Sequence, residues 1–142
     1  MIGFRVKFKI NFKRLAKRVR RGSIKSMGQA GALVWKISRN SIRRRKGPST
    51  PGTAPHTRTK SQEKKARRFG GLKDALRFEV ERRFFGGSVV IGPTPKLAGT
   101  SGRAHEFGGS YRGESFEKRP FMGPALQRSL PKIPRKWKNI VR

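Results

Sequence analysis

Cysteine is absent from the sequence, acidic residues number seven, and histidines number two. The first absence excludes disulfides and thiolate metal sites. The scarcity of acids and histidines leaves no cluster for a metal centre or a two-metal nuclease site, so no cofactor is expected. No apolar run approaches the roughly 18 residues that a membrane-spanning helix needs. The N-terminus alternates charged with apolar residues where a secretory signal would carry an apolar block, so synthesis in a cytoplasm without a membrane partner is expected.

What the chain has instead is positive charge. Its 37 Lys and Arg give a formal net charge of +30 over 142 residues. Such an excess strains a compact monomer by self-repulsion and calls for a polyanion nearby. Nucleic acid is the usual counterpart, because each neutralised phosphate releases condensed counterions. The length fits one domain, residues 1–142. The charge is uneven: Met1 to Arg68 holds 22 Lys or Arg and one acid, Glu63, whereas Phe69 to Arg142 holds 15 and six acids.

Hydrophobic periodicity gives an α+β class. Ile2, Phe4, Val6, Phe8, Ile10 and Phe12 alternate with polar and basic residues, as in a half-buried strand. From about Lys13 to Arg44 the apolar positions recur at three and four-residue steps, predicting one long helix. Gly22, Gly28 and Gly31 weaken it, each by about 1 kcal/mol relative to alanine, and predict a break or bend near Arg21 to Ser23. Gly47 to Thr59 contains three prolines and two glycines and predicts an irregular loop. With the charged stretch after it, Arg43 to Arg68 reads as a flexible basic arm. Leu72 to Leu76 predicts a helical turn, and Arg77–Arg83 with Ser88–Gly92 a hairpin. Pro93 to Gly102 and Gly108 to Gly113 read as connections, Ala104 to Phe107 as a short strand or turn, and Phe116 to Arg119 as a last strand. Pro120 to Leu130 predicts a short C-terminal helix. The expected architecture is one long N-terminal helix packed on a small antiparallel β-sheet, with a long basic loop and a short C-terminal helix.

Three segments carry more than composition: PSTPGTAPH at Pro48 to His56, AHEFGG at Ala104 to Gly109, and KRPFMGPAL at Lys118 to Leu126. In this order they resemble the neck or tail-completion proteins of tailed bacteriophages, also described as head–tail connectors. The resemblance covers roughly Gly31 to Leu130. It departs where that family passes directly from the Pro-His loop to a Thr-Gly-x-Leu step, since Lys60 to Arg68 is inserted here. It implies a non-enzymatic virion protein, made in the host cytoplasm and assembled at the head–tail junction as a homo-oligomeric ring of six or twelve copies. Its implied partners are neighbouring connector and tail proteins and packaged double-stranded DNA. A general nucleic-acid binder of ribosomal or chromatin type shares the charge and size, and is the alternative.

The residues divide into two groups on this reading. Arg43, Arg44, Arg45, Lys46, Lys64, Lys65, Arg67 and Arg68 of the arm are expected to touch DNA or an acidic partner without base readout. The face Arg14, Lys17, Arg18, Arg20, Arg21 and Lys25 is a second basic surface, with almost no acids to pair its charges. His105, Glu106, Phe107, Gly108, Arg119, Pro120, Phe121 and Met122 form the motif or interface group. Adjacent His105 and Glu106 would point to opposite faces of a strand, which argues against an acid–base pair. Glu106 is expected to pair with an arginine, one of a neighbouring subunit included, and Phe107 to pack in the core. Pro120 suits a first helical turn. For Phe121 and Met122, core packing and docking on the next subunit are both open.

Overall fold

A computed structural model describes residues 11–65, 71–83, 86–98, 100–111, 113–138 and 140. The alternating segment Ile2 to Ile10 therefore lies outside the described residues. Phe12, its last apolar member, opens the long helix α1, Phe12–Ser41. Asn11 caps that helix, its side-chain oxygen accepting the Arg14 backbone N–H at 3.0 Å.

Helix α1 runs unbroken through Gly22, so the chain has no break there. Its glycines serve close approach. A Cβ on Gly31 would lie 2.5 Å from Val89 Cγ1, and one on Gly22 would lie 2.8 Å from Ile140 Cγ2. Tertiary packing against a bare backbone outweighs the modest propensity penalty.

Among the described residues three pairs of strands follow α1 in place of one sheet. Strands β1, Arg43–Arg44, and β2, His56–Thr57, pair in parallel, with the proline loop as their crossover. Helix α2 spans Lys60–Lys65 and α3 spans Leu72–Ala75. The predicted hairpin is formed by β3, Leu76–Arg83, and β4, Gly86–Pro93, in antiparallel register from Leu76 opposite Pro93 to Arg83 opposite Gly86. The former loop Pro93 to Gly102 contains helix α4, Pro95–Ala98.

The segment Ala104 to Phe107 is helical, part of α5, Ser101–Phe107, and not a strand. Its C-terminus is closed by Gly108 at φ +72, whose N–H donates to Ala104 O at 2.8 Å. The glycine-rich connection behind it is a second antiparallel hairpin, β5 at Gly109–Tyr111 and β6 at Glu114–Phe116. The last strand thus ends at Phe116 instead of continuing to Arg119. Helix α6, Met122–Ser129, and two single 3-10 turns at Leu130–Lys132 and Pro134–Trp137 complete the chain.

Helix α1 is the spine. It packs on both strands of the first hairpin, on α6 and on the second 3-10 turn. Ala30, Gly31, Val34 and Ser38 form its buried side. Trp35 fastens it to the hairpin by donating its indole N–H to Leu76 O at 3.0 Å, with its ring 6.1 Å from that of Phe78. The main core joins Ile42, Leu72, Leu76 and Phe121 where α1, α3, β3 and the start of α6 meet, with Trp35 and Met122 packed against it.

Candidate functional site

The three motif segments meet in one junction, in which Glu106 joins the second to the third and Lys118 and Arg119 join the third to the proline loop. Its Oε2 accepts the backbone N–H groups of Phe121 and Met122, both at 2.9 Å, and its Oε1 accepts that of Gly123 at 2.7 Å. A helix begins with four backbone donors that have no partner inside it. At α6 Glu106 satisfies three of them, and Pro124 has no N–H to satisfy. The carboxylate also sits at the positive end of the helix dipole. Within the chain Glu106 holds a helix terminus and not an arginine, because α5 turns its side chain toward α6. Pro120 precedes the helix, and Pro124 is the proline of the first turn.

Backbone and side-chain bonds complete the junction. Arg119 N–H donates to His105 O at 2.7 Å, and Gly52 N–H donates to Lys118 O at 2.8 Å. The Arg119 guanidinium donates through Nε to Ser49 O at 3.0 Å. Gly108 is required by more than its φ, since a Cβ there would stand 3.0 Å from Phe116 O. Phe121 is 1% exposed, so core packing is its role, and Met122 lies half-buried against the same cluster. Phe107 reverses its expectation: it is 68% exposed. One residue beyond Glu106, it is rotated about 100° around α5, away from the buried junction. Burial first, and the Arg119 charge second, hold the His105 imidazole below its ordinary value.

The basic arm is not uniform. Up to Thr59 it is bound to the body, with Ser49, Pro55 and Thr57 buried and Arg45 N–H donating to Thr57 O at 3.2 Å. Arg44 turns inward and pairs with Asp74, which also holds Arg39 at 3.3 Å. Lys73 beside them is pushed below its ordinary value, chiefly by burial and then by the Arg39 and Arg44 charges, against the pull of Asp74. Arg43 faces out and lines a cavity of about 520 Å³ with His56 and Arg128. Arg45, Lys46 and Lys64 are exposed. Lys65 ends α2, while Arg67 and Arg68 lie outside the described residues.

A second basic surface is more concentrated. Arg14, Lys17, Arg18, Arg21 and Lys25 line one cleft of about 560 Å³ with Gly22 and Ile140. Ser26 in the next turn donates its hydroxyl to Lys136 O at 2.5 Å, which brings the C-terminal segment against the helix. The basic face is legible in the sequence, but Ile140 as its wall is not, since only Gly22 hints at a close neighbour. Arg20 of the same helix reaches the other way, to Arg83 O at 3.5 Å.

Among the described residues no group of three or more His, Asp or Glu could hold a metal ion, and no helix is long and apolar enough to cross a membrane. Comparison with protein-family models, curated proteins and solved structures gives no match.

Proposed function

We propose that this chain is a structural subunit of a tailed-phage particle, forming a ring of six or twelve copies at the head–tail junction. The observation that carries the reading is the junction at Glu106. The three segments on which the family resemblance rests hydrogen-bond to one another, the second to the third through Glu106 and the proline loop to the third through Lys118 and Arg119. A resemblance scattered over unrelated surfaces would carry less weight. The work of such a ring is mechanical and electrostatic. It joins the capsid connector to the tail, and its basic surface faces packaged DNA or an acidic neighbouring ring. Exposed Phe107, beside the junction, is suited to a contact with the next subunit, as are Leu126 and Leu130, 44% and 47% exposed on the last helix and turn. Heterologous contacts that close by rotation produce such rings.

Immunogold labelling of purified particles with an antibody to this chain tests the proposal. Label at the head–tail junction is the expected result. Particles without label, with the protein recovered instead on ribosomes or bulk nucleic acid, would overturn it in favour of a general nucleic-acid binder. The charge of +30 keeps that second reading in view.

A further inference from the structure

In the N-terminal part of α1 every residue from Asn11 to Arg21 is exposed. On one side of it, Arg14, Lys17, Arg18, Arg21 and Lys25 share the cleft closed by Ile140. Among the described residues no carboxylate lines that cleft, and none of the five cations has an ion pair.

This arrangement works against the helix that carries it. Arg14 and Arg18, Lys17 and Arg21, and Arg21 and Lys25 are spaced at i,i+4, where like charges repel. Arg14 also stands in the first turn, at the positive end of the helix dipole, and that turn contains no acid. Each penalty is reduced when a polyanion occupies the cleft, and no acid among the described residues reduces it.

We infer that this cleft is a phosphate-backbone site, which grips successive phosphates of duplex DNA without reading bases. The inference rests on the proposed function only in taking DNA as the relevant polyanion, and it moves the main contact from the arm at 43–68 to α1. From Arg14 to Lys25 the helix rises about 16 Å. Over that length a duplex presents about five phosphates per strand, enough to engage all five cations. The shape favours a strand of phosphates over a lipid surface. The cleft is concave, walled by Ile140 against the bare Gly22 backbone, where a Cβ would meet the Ile140 side chain at 2.8 Å. A flat anionic membrane would meet the rim of such a cleft and leave its floor unfilled.

The test is fluorescence anisotropy of the full chain with a labelled 30-bp duplex over a series of salt concentrations. With Arg14, Arg18, Arg21 and Lys25 all changed to Gln, the slope of log affinity against log salt should fall by about 3.6, at about 0.9 per lost phosphate contact. The arm variant, with Arg43, Arg45, Lys46 and Lys64 changed to Gln, should lose less than about one unit of slope. Affinity in the α1 variant should fall equally for duplexes of unrelated sequence. An unchanged slope in that variant, or a larger loss in the arm variant, overturns the assignment. So does tighter binding to phosphatidylserine vesicles than to the duplex. If the fourfold change reduces helicity by far-UV circular dichroism, the single substitution Arg18→Gln decides, with an expected slope change of about 0.9. Binding through α1 without label at the head–tail junction keeps the cleft and removes the ring. Junction label with an unchanged slope does the reverse.

Discussion

Glu106 Oε1 accepts the backbone N–H of Gly123 at 2.7 Å, across seventeen residues of chain. With the bonds to Phe121 and Met122, it makes one acid of α5 the cap of α6. Glu106→Ala leaves these donors without their partner and should destabilise the protein by about 2 kcal/mol. Thermal unfolding followed by circular dichroism measures it. Glu106→Gln, which keeps one acceptor oxygen, should fall between the two. A change below about 0.5 kcal/mol for the alanine variant would show that water replaces the cap.

Among the described residues Phe121 is the largest fully buried side chain. Phe121→Ala should cost about 3–5 kcal/mol in urea unfolding. A near-neutral effect on the monomer together with lost assembly would move this ring from core to interface.

Gly31→Ala opposes two effects. Alanine improves helix propensity by about 1 kcal/mol, but its methyl would lie 2.5 Å from Val89 Cγ1 and 3.1 Å from Phe78 Cδ2. Overpacking of this kind typically costs about 1–3 kcal/mol, so a lower urea midpoint is expected. Adding Val89→Ala should recover part of the loss. Stabilisation by the single change would mean that the hairpin moves freely relative to α1.

His105 predicts a pH dependence. Burial, then Arg119, hold its folded pKa below the ordinary value of 6.5. The unfolded chain therefore takes up the proton first on acidification. The contribution is complete above about 6.5, and is lost as pH falls from there through the depressed folded value. The urea midpoint of the wild type should drop more between about pH 7 and about pH 5 than that of His105→Gln. Equal drops in the two proteins would assign the acid sensitivity to the carboxylates instead.

The parts of the fold legible in the sequence are those whose signal is local and periodic. Helix α1, the β3–β4 hairpin, the turn at Leu72 and the C-terminal helix each carry a hydrophobic repeat or a turn signal of their own. The segment AHEFGG carries neither, and its helix depends on what it touches. Glu106 holds α6, and Gly108 supplies the positive φ that ends α5. The long helix shows the same limit from another side. Gly22 and Gly31 look like weaknesses until Ile140 and the Val89 side chain are seen against them. Of the candidate site, the cations were legible as residue types. Their fates were not: Arg43 and Arg44 are neighbours in sequence, but pairing in β1 turns one toward Asp74 and the other outward.

The hydroxyl of Ser26 and the carbonyl of Lys136 are 110 residues apart in sequence. A chain that leaves the ribosome N-terminus first therefore makes its long helix early and covers one side of it last. The side of α1 that faces α6 and the second 3-10 turn waits until that segment has been made, whereas the β3–β4 hairpin can cover its own share of the helix earlier. Contacts of such long range also make the final docking slow compared with helix formation. During that interval the side of α1 that α6 will cover faces water, and the chain's net charge of +30 opposes association of one such surface with another.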